Sequence, residues 1–343
     1  MALSALPVGL LIDRIGPRRM TCIGALVLLL SAIGHTVAVD TWSLLGARML
    51  LGLAATIIFP GSLTWIRSLV SENKRSLALT AVMPVVGIAS ILGPITAGAL
   101  TDAVNVRTAF LAITVGVIVA SVLVLVSAET PHFIEEYVPK PKAIISLMRR
   151  EPLVLGGCVT IIISTFAESV VNFLAPLQLD AQGVSTTTIG IYLATGSILF
   201  VVVGAVVTRF ADKSVRLPVS GIASLILFLL LVPLIISDEA VVIVSILILR
   251  MAVLGVLWTI AFPLGGLGAS RMGMPSGTIF GIFMAIIGLC NVIGTLASGV
   301  LANGPGFPAS YAFLAGSCGL GALILMRMGF RHRSTISAPN NPT

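Results

Sequence analysis

Charge is scarce in this sequence. Asp, Glu, Lys and Arg make up 10% of the chain, against about 25% in a soluble domain. Thirteen acids serve 343 residues, with three histidines and 6% aromatics. The four cysteines, Cys22, Cys158, Cys290 and Cys318, all sit in apolar runs and form no C-x-x-C pair, so neither a disulfide framework nor a cysteine metal site is implied. No nucleophile–base set, no His/Asp metal spacing and no phosphate loop occurs, which argues against an enzyme and against a resident cofactor. No basic stretch precedes the first apolar run, so residues 1–12 do not read as a secretory leader. What fills the chain instead is apolar: 57% of its residues are hydrophobic. A soluble core does not need that much, and the expectation is an all-α, polytopic membrane protein.

The net charge of +7 raises a nucleic-acid partner, but the positions of the charges oppose it. All the Lys and Arg residues except Arg48, Arg107 and Arg250 fall in alternate loops. That is the positive-inside pattern. It places the loops around Arg14, Arg75, Lys140, Lys213 and Arg271 in the cytoplasm, together with the C-terminus, and Asp40, Asp102, Asp180, Asp238 and Glu239 outside. The expected location is the plasma (inner) membrane. Apolar runs long enough to span a bilayer, about 20 residues each, fall at 21–39, 42–64, 76–100, 109–127, 153–177, 188–207, 217–236, 240–265, 277–301 and 310–328. A short apolar stub precedes them. Residues 128–152 carry Pro131, Pro139 and Pro141 among mixed charges and read as a cytoplasmic linker between an N-terminal half, 1–127, and a C-terminal half, 153–330. Residues 331–343 read as a disordered tail.

The two halves repeat at an offset of about 200 residues. Val8, Gly9 and Arg14 match Val203, Gly204 and Arg209, and Arg48-Met49 matches Arg250-Met251. Thr56, Phe59 and Pro60 match Thr259, Phe262 and Pro263; Gly87, Gly93 and Gly98 match Gly288, Gly294 and Gly299. Ala109-Phe-Leu-Ala112 matches Ala312-Phe-Leu-Ala315. The second half opens with a full span that the first half lacks. By the repeat, the first half is expected to be truncated by about 40 residues at its N-terminus.

The stretch from Gly9 to Arg19 is the densest motif. Gly9, Asp13, Arg14, Gly16, Arg18 and Arg19 form G-x-x-x-D-R-x-G-x-R-R, an elbow in which Gly16 and Pro17 interrupt a helix and the arginines hold the turn in the cytoplasm. This pattern resembles the signature loop of the major facilitator superfamily, between that family's second and third helices. The resemblance implies two pseudo-symmetric six-helix halves, with Asp13 acting as a cytoplasmic gate contact. The matching loop of the second half has Thr208 in place of the acid.

Charges inside the spans are the candidate transport residues, because an ionised group at membrane depth faces a partner or a water-filled cavity. They are Arg48, Arg250 and Glu168. Glu168 shares a helix face with Asn172, four residues on. Arg48 with Gly52 resembles the family's R-x-x-x-G motif, linked to proton coupling, and all three charges fall on helices that line the family's central cavity. Each also has a plainer explanation: an arginine braced on carbonyls, or a static ion pair. Gly87, Gly93, Pro94 and Gly98 resemble the family's antiporter-associated packing and kink motif, though small residues also serve simple close packing. The resemblance therefore implies a secondary transporter moving a small organic solute by alternating access, as proton-coupled efflux. Its driving ion would be a proton, its partners the solute and the bilayer, and the chain a monomer without nucleic acid. The alternatives are a proton-coupled or facilitative uptake carrier for a metabolite or organic anion gripped by the arginines and, more remotely, a membrane sensor or an inactive fragment.

Overall fold

A computed structural model describes residues 7–8, 11–12, 15–69, 72–127, 151–210, 216–272 and 276–336. Eleven helical segments are defined among them: α1 (Pro17–Val37), α2 (Thr41–Leu69), α3 (Glu72–Ala103), α4 (Val106–Val126), α5 (Pro152–Ala181), α6 (Thr186–Phe210), α7 (Arg216–Leu231), α8 (Pro233–Ile236), α9 (Ala240–Arg271), α10 (Ser276–Asn303) and α11 (Phe307–Ile336). Ten stretches among the described residues are long and apolar enough to cross a membrane, one of them shared by α7 and α8. An all-helical backbone meets its own hydrogen-bonding needs, as a lipid environment requires. Large apolar side chains such as Leu30, Leu123, Leu229 and Leu296 are left exposed on the surface.

Short polar signals set the helix ends. Gly16 has φ +95° and ψ +146°, a region only glycine occupies without strain, and Pro17 opens α1 at a position where its missing N–H is no loss. The basic pair Arg18-Arg19 therefore belongs to the first turn of α1, not to a loop ending near residue 20. Asp40 and Ser43 cap α2 reciprocally: Ser43 N–H donates to Asp40 Oδ1 at 2.7 Å and Asp40 N–H to Ser43 Oγ at 3.2 Å. Asn105 caps α4 through the Thr108 N–H, and Glu151 precedes Pro152 at the start of α5. Pro233 separates α7 from α8. At the other end of the chain α11 runs to Ile336. The helix thus takes in Arg331 and Arg333, where the sequence suggested disorder; basic residues suit the negative end of a helix.

The chain divides into two compact units, one of residues 1–137 and 185–194, the other of 138–184 and 195–343. In the first, α1 packs on α2 and α4, and α3 packs on α4 and α2. Its core joins Val8, Ile12, Met20 and Ile57, with Leu53 against them. In the second, α5 is central, packed by α7, α9, α10 and α11. Val154, Cys158 and Ile161 of α5 meet Ala261 of α9 and Phe283 of α10. Residues 128–150 of the expected linker lie outside the described residues.

Candidate functional site: a polar layer on helix α5

Polar side chains deep in the second unit converge on α5. Arg250 of α9 is fully buried. It donates from Nη1 to the Ala167 carbonyl at 3.4 Å and from Nη2 to Asn172 Oδ1, while its Nε has no partner. Glu168 projects from the same part of α5 as these acceptors and is only partly buried. The charges of Arg250 and Glu168 act on each other, and the Trp258 side chain offers the carboxylate a hydrogen bond. Among the described residues no ion pair of Glu168 closes to 4.0 Å. The two groups face the same part of α5 without closing an ion pair, the guanidinium being pinned to Ala167 and Asn172. Farther along α5, Gln178 Oε1 accepts the hydroxyl hydrogen of Tyr311 at 2.6 Å, both residues buried. On the α9 side, Trp258 stacks on Phe262 with centroids 5.9 Å apart, and Phe262 meets Phe283 edge-on.

Of the four charge or polar candidates named from sequence, Glu168, Asn172 and Arg250 come together here. Arg48 belongs to the first unit and has an exposed side chain; within the second unit, α9 supplies Arg250 as the cation for Glu168. Sequence reasoning missed Tyr311 and Gln178, which lie 133 residues apart and meet only through folding. A glutamine near the end of an apolar span was the one available signal.

In the elbow, Gly9, Asp13 and Arg14 lie outside the described residues. Arg18 donates from Nη2 to the Ser127 carbonyl at 3.1 Å and the Leu125 carbonyl at 3.4 Å. These carbonyls close α4, where the helix has acceptors but no donors of its own. Arg18 is therefore a cap on a neighbouring helix, and Arg19 is exposed. On α3, Gly87 and Gly98 are buried, whereas a side chain at Gly93 would meet nothing within 4 Å. His35 is buried at the end of α1, its Nδ1 2.8 Å from the Ser31 carbonyl and its ring stacked on Phe110 of α4. Among the described residues no cluster of three His, Cys, Asp or Glu could hold a metal.

The family model of the Major Facilitator Superfamily matches residues 1–280. The chain belongs to the Major Facilitator Superfamily. Within this superfamily it is 30% identical, over 38% of its length, to an uncharacterized MFS-type transporter of Mycobacterium tuberculosis. It is 33% identical, over 36% of its length, to a probable actinorhodin transporter of Streptomyces coelicolor. These alignments span 23% and 22% of the respective relatives, so the chain matches about a quarter of each. Its fold is similar to that of a D-xylose-proton symporter, with a TM-score of 0.75 at 15% identity over 95% of this chain and 84% of the other. It is also similar to a bacterial homologue of the human lysosomal transporter Spinster in an inward-facing, unoccupied conformation, with a TM-score of 0.65 at 13% identity over 100% and 88%.

Proposed function

We propose that this superfamily member is a secondary transporter that moves a small organic solute by alternating access, outward in exchange for protons, with Glu168 as the coupling carboxylate. The observation that carries the reading is the asymmetry of the charge couple. Arg250 is fully buried with both terminal nitrogens engaged by α5, whereas the Glu168 carboxylate is in no ion pair within 4.0 Å among the described residues. A proton on Glu168 turns a neutral layer into a positive one without moving the guanidinium. A solute that interacts with the ionised carboxylate then excludes the proton, which is the competition that exchange requires. An anion gripped by Arg250 is disfavoured, since it would have to displace Ala167 and Asn172 from a guanidinium that is fully buried. The outward direction rests on the α3 motif of Gly87, Gly93, Pro94 and Gly98. A transporter's name on both relatives agrees with transport as such.

The test is transport in proteoliposomes with and without an imposed proton gradient, screening organic solutes against the parent chain and Glu168→Gln. The variant is expected to lose gradient-driven accumulation while downhill exchange continues. Undiminished accumulation by a well-folded Glu168→Gln protein would remove the coupling role from this residue.

A further inference from the structure

Helix α6 is divided between the two compact units: residues 185–194 cluster with the first, and the helix from Thr195 onward with the second. Its first turns are held by α3, through three positions spaced four apart and so on one helix face: Pro94, Gly98 and Asp102. A side chain at Gly98 would stand 2.6 Å from the Thr186 carbonyl oxygen, and one at Gly190 would collide with the Pro94 carbonyl oxygen. The two backbones touch. At the end of this seam Asp102 Oδ2 accepts the Thr187 N–H at 2.7 Å, and the Thr186 and Thr187 side chains reach the same carboxylate.

The first N–H groups of a helix have no partners within it. In α6 they are shared between two sources. Ser185 Oγ accepts the Thr188 N–H at 3.2 Å and meets Thr188 Oγ1 at 2.9 Å. That local cap travels with α6 wherever the helix goes. The Thr187 N–H is served by Asp102, a negative charge on a different helix facing the positive end of α6. This second cap exists only while the start of α6 lies on α3. We propose that Asp102 is a latch: it holds the first turn of α6 against α3, and its release is the step that frees that turn when the carrier changes state. The glycines give the seam its fit, and the carboxylate makes it charge-dependent. Here the latch rests on the alternating-access reading, but its test does not need a substrate.

Ile189, on α6 within the first unit, is 5% exposed. In a chain cleared of its native cysteines, Ile189→Cys in lipid nanodiscs is alkylated by a small thiol reagent, with exposed Val104→Cys as the reference site. Adding Asp102→Ala is expected to raise the Ile189→Cys rate about fivefold, the scale of losing a helix cap, and Asp102→Asn by less, since an amide oxygen still accepts but carries no charge. The Val104→Cys rate should not move. Equal Ile189→Cys rates with and without the Asp102 carboxylate would overturn the latch, and so would a parallel rise at both sites, which means general loosening. A latch response in a protein that moves no solute would instead count against the transport reading and leave the latch standing.

Discussion

Replacing Arg250 by Met takes a buried cation away from Ala167, Asn172 and Glu168 together. The expected loss of stability is about 3–5 kcal/mol, the range for breaking a buried charge arrangement, seen as a lower melting temperature in detergent. In a Glu168→Gln background the same replacement should cost less, by about 1–3 kcal/mol, because the charge it leaves behind is gone. Additive losses would mean that the two groups do not feel each other. The residues of this layer were legible to different degrees. Glu168 and Asn172 could be paired from sequence because four residues on one helix place them on one face. Arg250 could be singled out because an arginine in an apolar span needs a reason. That its nitrogens rest on Ala167 and Asn172 depends on how α9 meets α5, which no spacing within either helix encodes.

Helix ends carry the next prediction. Asp40 at the start of α2 has its carboxyl held below the ordinary carboxylate range, chiefly by the Ser43 backbone N–H and then by the Ser43 hydroxyl. A group whose folded value is depressed adds stability above its unfolded value and loses it as pH falls through the folded one. The first turn of α2 should therefore be firm at neutral pH and fray only at pH below the usual carboxylate value, read as faster hydrogen exchange at the Ser43 amide. Asp40→Asn should keep an acceptor and remove the pH dependence. If exchange at Ser43 in the parent chain does not respond to acid, the cap is not electrostatic. Of the capping residues, Asp40 was visible as an acid between two apolar runs, whereas Asn105 and Glu151 were not singled out. The role of Arg18 was not visible: a basic residue in an elbow reads as a topology signal, and its second use, closing α4, needs an end more than a hundred residues away.

For the molecule as a whole, the apolar runs were readable because bilayer thickness fixes their length, and the ten expected spans correspond to the ten stretches found. The break at Pro233 and the early start of α1 at Pro17 shift boundaries without changing the order. What length and hydropathy do not carry is which side is which; only the distribution of Lys and Arg bears on that. Single cysteines at positions 71 and 214 are expected to be shielded from an impermeant thiol reagent on intact cells, and those at 238 and 303 to be labelled. Labelling at 71 or 214 would reverse the orientation.

The burial of Arg250 also bears on how the protein is made. A chain enters the membrane in the order of its synthesis, and an arginine at mid-span is costly to insert, by about 2.5–3.5 kcal/mol on insertion scales. Helix α5 precedes α9 in the sequence. The Ala167 carbonyl and the Asn172 amide are thus already in the bilayer when the segment with Arg250 emerges from the ribosome, and the later helix can be received by the earlier one. The order of helices along the gene is then part of what makes this arginine tolerable to the biosynthetic machinery.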